Sequence, residues 1–227
     1  MKVNYFLMNK SVVNQKISFR DILRIAFLFL FAIISTAEVS AAAVISSNTT
    51  INAEDTTYDG QPITVDGAYT LTINGAHHFE SISLINGAKI THTSNSTAQV
   101  NTLALSITND VTIDESSLID VSGRGYTTDQ GPGKGVSGNY GGGGGGHGGN
   151  GGNGTSGPGG AGYDSVVDPS LIGSGGGKST NGGRAGGAGG GGIRLTVGGR
   201  LENNGTIRAD GYSGGRYSDT HSAGGGA

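Results

Sequence analysis

The chain has 227 residues, of which 46 are glycine, about one in five against an average usage of roughly 7%. It contains no Cys and no Trp, and sets 14 Lys and Arg against 17 Asp and Glu for a formal net charge of −3. This composition excludes an ordinary enzyme core, a disulfide-stapled scaffold and a dedicated nucleic-acid binder, which needs a basic surface. Only Gly60, Gly67, Gly75 and Gly87 precede Ser122, so the chain is two materials joined end to end.

Residues 1–43 read as a secretory signal peptide. Lys2, Lys10, Lys16, Arg20 and Arg24, opposed only by Asp21, precede an apolar run from Ile25 to Ile34, and small residues follow Ser35 and Thr36. That is the basic, apolar, small-residue order of an export signal. The apolar run, at 1.5 Å per residue, falls well short of a hydrocarbon core of roughly 30 Å. Cleavage is expected near Ala41, after Val39-Ser40-Ala41, or near Ala43, after Ala41-Ala42-Ala43. The alternative is a membrane anchor formed by an uncleaved segment over residues 25–43. An exported chain without cysteine must draw its stability from burial or repetition.

From residue 44 to 122 short blocks of Val, Ile and Thr alternate with polar residues, which is strand chemistry. The expected strands are Val44–Ile51, Tyr69–Ile73, Ser81–Ile85, Lys89–Thr93, Leu103–Ile107, Val111–Ile113 and Leu118–Val121. Asp66-Gly67, Asn74-Gly75 and Asn86-Gly87 lie between blocks and suit tight turns with left-handed backbone. Two sequence echoes organise these blocks. Leu71-Thr-Ile-Asn-Gly-Ala76 returns as Leu84-Ile-Asn-Gly-Ala88. The unit Leu105–Gly123 returns as Leu195–Gly211, each an apolar triplet, a two-residue turn, a second strand and a third strand ending at glycine.

Units too small to bury a core alone, repeating every roughly 20 to 25 residues, are what a solenoid requires. The expected inward set is Leu71, Ile73, Ile82, Leu84, Ile90, Leu103, Leu105, Ile107, Val111, Ile113, Ile119 and Val121. The rival architecture is a β-sandwich of antiparallel hairpins with a disordered glycine-rich tail, because Asn-Gly also marks two-residue hairpins. Between the echoed units lies a glycine-rich insertion, residues 123–192, with the runs Gly141–Gly146 and Gly186–Gly192. It has no strict Gly-X-Y period, which excludes collagen. Residues 193–227 resume the repeat.

The strings Ile119-Asp-Val-Ser-Gly-Arg-Gly-Tyr126, Gly131-Pro-Gly-Lys-Gly135, Gly145-Gly-His-Gly-Gly149, Leu171-Ile-Gly-Ser-Gly-Gly-Gly177, Gly189-Gly-Gly-Gly-Ile-Arg-Leu-Thr-Val197 and Gly205-Thr-Ile-Arg-Ala-Asp-Gly211 resemble a glycine-rich module of very large secreted bacterial proteins. The resemblance covers roughly Tyr69 onward. It implies a right-handed parallel β-helix, an adhesin-like surface role and no defined reaction. In that pattern the glycine run after Asp210 leads into another strand, whereas here His221–Ala227 stops short of one, so the resemblance implies a truncated piece of a longer protein.

Gly173-Ser-Gly-Gly-Gly-Lys-Ser-Thr180 suggests a phosphate loop around Lys178 and Ser179, but the first glycine of that motif would fall at Ile172. Gly133-Lys-Gly-Val-Ser-Gly138 fits a dinucleotide fingerprint in a segment where composition alone generates such matches. No nucleotide partner is expected. Gly159-Gly-Ala-Gly-Tyr-Asp-Ser-Val-Val167 fits a calcium-binding nonapeptide with Asp164 as the carboxylate ligand, although its near-copy at Gly151 is offset by eight and carries Ser156 in the carboxylate place. Asp164 is therefore the calcium candidate, and no other cofactor is expected. The histidines His77, His78, His92, His147 and His221 lack zinc spacing. His77 and His78 are expected at a turn or on an outer face, and His147 either plugs a gap between glycine loops or is solvated. Asp114, Glu115 and Asp120, with Arg124 close by, are the one acidic group that an enzymatic β-helix could use.

The expected function is a secreted or cell-surface structural and adhesive module with no catalysis of its own, and the alternative is a carbohydrate-binding or carbohydrate-active β-helix domain of the polysaccharide lyase or hydrolase kind. The expected partners are surface glycans or other cell-surface proteins, with the membrane met only through the signal segment during export.

Overall fold

The computed structural model describes residues 41–218, 221–222 and 224–226. Residues 1–40, which carry most of the expected signal peptide, lie outside the described residues. The described chain is all-β, without a helix.

Thirteen strands fall in three parallel sheets that the chain visits in a fixed order. It enters with β1 (Ala43–Ile45) in the first sheet and β2 (Thr49–Ile51) in the second. The next round is β3 (Pro62–Asp66), β4 (Thr70–Ile73) and β5 (Gly75–Phe79), the last in the third sheet. Then come β6 (Ser81–Ile85), β7 (Lys89–Thr91) and β8 (Leu103–Ile107), followed by β9 (Val111–Ile113), β10 (Leu118–Asp120) and β11 (Ile193–Val197). A last round has β12 (Leu201–Asn203) and β13 (Thr206–Arg208). The resulting orders are β1-β3-β6-β9-β12, β2-β4-β7-β10-β13 and β5-β8-β11. A short antiparallel pair, β14 (Arg216–Ser218) and β15 (His221–Ser222), follows.

Parallel pairing overturns the hairpin alternative and, with it, the β-sandwich with a disordered tail. The Asn-Gly dipeptides do carry left-handed backbone, with φ of 61° at Asn86 and 86° at Gly87, but they turn the chain from one sheet into the next. Their side chains join successive corners. Asn86 donates from its side-chain amide to Asp66 (2.7 Å) and from its backbone amide to Asp114 (2.7 Å). Asn74 donates to Asn52 (3.2 Å) and accepts from the Thr93 amide (2.8 Å).

Alternation puts one face of the strands inside, with Thr or Ser on the outer positions of β3, β4, β6 and β9. The inner faces form columns: Ile63, Ile82, Val111 and Leu201 in the first sheet, and Leu71, Ile90, Ile119 and Ile207 in the second. In the third sheet Phe79, Ile107 and Val197 align. All twelve residues expected to point inward are buried. The columns lose cover at the last round: Val111 is 1% exposed and Leu201 46%.

Several strand boundaries differ from expectation. Val44–Ile51 is two strands in different sheets, and β3 and β5 arise where none was expected. Pro62 at the start of β3 and the His77-His78 pair in β5 hid both: proline is tolerated at a strand's first residue, and β5 follows a turn signal directly.

The Leu105 and Leu195 echo is the register itself. Leu105 pairs with Leu195, Val111 with Leu201 and Ile119 with Ile207, so the repeated units are direct neighbours although 90 residues separate the first pair. Everything between β10 and β11 is an excursion from one corner.

Candidate functional site

That corner, between the second and third sheets, is where the chain grows. Asn74 alone spans it between β4 and β5, residues 92–102 span it between β7 and β8, and residues 121–192 span it between β10 and β11. The glycine-rich insertion is an ordered body built on backbone hydrogen bonds. Consecutive amides of one segment donate to different neighbours: Gly143 to Val136 O, Gly144 to Gly152 O, Gly145 to Gly225 O and Gly146 to Gly133 O. Gly143 and Gly146 thus return to the same neighbour after three residues. Gly173 and Gly176 repeat the rule, donating to Gly190 O and Gly187 O. A threefold rotation of bond direction is that of a polyproline-II-type helix, which has three residues per turn and no internal hydrogen bonds. Each segment therefore satisfies its polar groups only through its neighbours.

Glycine is required here for space rather than for φ. No glycine between residues 133 and 177 has left-handed backbone. A Cβ on Gly143 would fall on the Pro158 carbonyl, on Gly160 on the Gly133 carbonyl, and on Gly177 on the Val136 carbonyl. This is the same steric logic that admits only glycine at the axis of collagen.

The body is fastened to the neighbouring corner segment, residues 92–102, through His92, Gln99 and Ile172. His92 is fully buried, donates from Nδ1 to Thr93 O (2.9 Å) and accepts at Nε2 from the Gly192 amide (3.2 Å). That pair of bonds fixes the neutral Nδ1–H tautomer, and burial pushes its pKa down. Gln99 brackets Ile172, donating to Ser170 O (3.2 Å) and accepting from Ile172 N (3.1 Å). Ile172 itself is fully buried.

The acidic group noted in the sequence is dispersed among separate roles. Asp114 holds a corner, its carboxyl pulled to about 2 by the Ser117 hydroxyl and the Asn86 amide. Glu115 is exposed, and Arg124 donates to Ser94 (2.8 Å). Asp120 is buried beneath Lys89 (3.1 Å) and Arg208 (3.0 Å), and its other oxygen accepts from the Ser122 amide (2.9 Å). Burial pushes this carboxyl up, but Arg208, the Ser122 amide and hydroxyl, and Lys89 together hold it well below the usual carboxylate range. Lys89 and Arg208 come from neighbouring rounds, so Asp120 ties three adjacent strands of the second sheet.

A group with a depressed folded pKa contributes stability above its unfolded value, about 3.9 for Asp, and loses it as pH falls. Asp120→Asn is expected to cost about 1–3 kcal/mol near neutral pH, the range for breaking a partly solvated charged hydrogen-bond group. In urea titrations the gap between wild type and Asp120→Asn should close as pH drops below about 4. A gap unchanged down to pH 2 would show that the charge on Asp120 contributes nothing.

The calcium candidate Asp164 has both oxygens engaged. One accepts from the Ser165 amide (2.8 Å), and the other from the amides of Ser170 (2.9 Å) and Leu171 (2.8 Å). The Leu171 amide leads in holding this carboxyl below the usual range. His147 Nε2 lies 3.2 Å from the same oxygen and 3.1 Å from Leu171 O, and its ring meets Tyr163 edge-on at 5.3 Å. Among the described residues no cluster of three or more His, Cys, Asp or Glu could hold a metal ion. His147 is a partly covered brace between glycine loops.

The amides that a phosphate loop would present are consumed within the body: Gly173, Gly175, Gly176 and Gly177 all donate to backbone carbonyls. Lys178 pairs with Asp129 at 3.0 Å.

His77 was expected at a turn or on an outer face, yet it points inward from β5. It is 4% exposed, with Nδ1 3.0 Å from Asp59 and Nε2 3.3 Å from Asn74 O. The ring lies between two acceptors and beside Phe79, and the only sequence signal for it is its alternation with Phe79. His78, one residue on, faces out and meets Thr108 (2.9 Å).

Two shallow grooves lie on the outer side of the third sheet. One, about 320 Å³, includes Thr102, His147, Ser170, Leu171 and Arg194 in its lining, and the other, about 370 Å³, includes Asp59, His78, Ser106, Arg194 and Thr196. They share Ala104 and Arg194. The Arg194 guanidinium lies 3.6 Å from Asp168, an exposed pair worth little.

No family model, curated protein or solved structure matches the chain.

Proposed function

We propose that the chain is an exported structural and adhesive module: a right-handed parallel β-helix carrying a glycine body on one corner, with no catalysis of its own. The fixed order of visits to three parallel sheets supports the β-helix, and crossovers between parallel strands are right-handed in about 98% of cases. The observation that carries the functional reading is the glycine body. The longest excursion of the chain goes into a lattice built mainly of backbone hydrogen bonds between close-packed glycines, which suits rigid display better than chemistry.

The export reading rests on the basic and apolar leader. Strand β1 begins at Ala43, paired with Ile63, so cleavage after Ala41 leaves the first strand whole. Expressed complete in a bacterial host, the chain should leave the cytoplasm with Ala42 as its first residue by N-terminal sequencing. Retention in the cytoplasm with the leader intact would refute export.

A second reading is favoured by the joined grooves at Arg194: a glycan-binding face across the third sheet. On a polysaccharide panel the module should bind without releasing sugars. Release of reducing or unsaturated ends, lost in Asp120→Asn, would replace the structural reading with an enzymatic one.

A further inference from the structure

One buried imidazole sits on the seam between the glycine body and the corner segment beside it. His92 follows β7 directly, and Gly192 is the last residue before the chain leaves the body for β11. The Gly192 amide donates to His92 Nε2 (3.2 Å) while His92 Nδ1 donates to Thr93 O (2.9 Å), so both ring nitrogens are engaged and the ring must be neutral. A proton on Nε2 would set one N–H against another inside a buried contact. The ring lies hard against the body, since a Cβ on Gly191 would fall on Nε2 and press on the Arg124 Cβ. Nothing around it offers a compensating negative charge. Residues 93–102 and 189–192 bring no ionisable side chain, and residues 121–125 bring only Arg124, which opposes a second positive charge. Asp120, at the end of the neighbouring strand, is already held by Lys89 and Arg208.

From this geometry we infer that the His92–Gly192 bond is an acid-released latch: a proton on Nε2 opens the seam between the glycine body and residues 92–102 while the strands stay folded. The closed seam excludes the proton. In the open seam the ring meets water and takes its ordinary pKa of about 6.5. The open state therefore binds a proton that the closed state refuses, and its population is flat above about pH 6.5 and rises about tenfold per pH unit below it. The strands do not share this dependence, because their columns are aliphatic and close without a titrating group. Few other bonds resist the opening. Gln99 holds Ser170 and Ile172 across the same seam, and the Asn95 and Thr127 amides reach across to Arg124 O and Ser96 O (3.0 and 3.1 Å). Such a small set of contacts is the kind that opens locally, without global unfolding. Gly190, Gly191 and Gly192 also line the groove of about 320 Å³, so the latch holds one wall of it.

The test is amide hydrogen exchange on the full chain at pH 7.5 and 5.5, each rate divided by its intrinsic value at that pH. Protection of the Gly192 amide, and of the Ile172 amide on the same seam, should fall about tenfold between the two, while that of Leu84 in β6 holds. His92→Gln keeps a side-chain acceptor but cannot titrate, and its seam should show no fall. His147→Gln, which removes the other imidazole of the body, should keep the fall seen in the wild type. Flat protection of Gly192 in the wild type, an undiminished fall in His92→Gln, or a fall shared equally by Leu84 would overturn the latch. Nitrogen NMR of the His92 ring in the wild type decides the matter even where His92→Gln does not fold. Nε2 should be unprotonated at pH 7.5 and coupled to the Gly192 amide, and an Nε2 that carries the proton there would overturn the proposal outright.

Discussion

Gly143→Ala should destabilise the folded chain by about 3–5 kcal/mol, combining overpacking with the loss of buried backbone hydrogen bonds. The added methyl group has nowhere to go. Gly143 is buried, its amide donates to Val136 O, its carbonyl accepts from Gly177 N, and the Pro158 carbonyl occupies the place of the new Cβ. Moving the segment aside breaks bonds to two neighbours at once, because consecutive amides point in different directions. Gly152→Ala is the matched control. Gly152 is exposed and a Cβ there meets nothing within 4 Å. Its substitution should be neutral or stabilising by up to about 1 kcal/mol, through the reduced entropy of the unfolded chain. Urea unfolding of both variants checks the contrast. Equal, small effects would mean that the insertion is a loose chain in solution.

A second contrast concerns the strand columns. Leu84→Ala should cost about 2–5 kcal/mol, the usual range for a buried leucine that leaves a cavity. Leu84 is fully buried between Val65 and Ile113 in the first sheet. Leu201→Ala, in the last round, should cost under about 1 kcal/mol because Leu201 has little buried area to lose and is 46% exposed. Both leucines stand on inner faces of one sheet, so a difference between them reports how far the last round is covered. Comparable losses would mean that the last round is buried in solution.

Much of the strand body was legible in the sequence because its rules are local. Period-two alternation located the inward residues from Leu71 to Val121, and the echo of Leu105–Gly123 in Leu195–Gly211 predicted which strands are neighbours. The direction of pairing was less legible, because Asn-Gly supplies the same left-handed backbone to a hairpin and to a corner. The parallel registers and the corner bonds of Asn86 to Asp66 and Asp114, from three different rounds, separate the two.

The interior of the glycine insertion was illegible for a physical reason. Most of its bonds join backbone to backbone, and the few side chains that link segments, such as Ser174 to the Gly133 amide and Asn150 to the Gly162 amide, follow no period that the sequence displays. The anchors were hidden in another way: His92, Gln99 and Ile172 are brought together only when distant segments meet. The Asp120 cluster likewise draws Lys89 and Arg208 from neighbouring rounds, and sequence proximity pointed instead to Arg124.

Residues 123–192 form a hydrogen-bonded body. Amide hydrogen exchange tests it directly. The amides of Gly143, Gly144, Gly176, Gly177 and Gly187, all bonded to neighbouring segments, should exchange at least a hundredfold more slowly than in an unstructured peptide, comparably to amides of β8 and β9. Exchange of these glycines at unprotected rates, while the strands stay protected, would mean that the insertion is a loose chain.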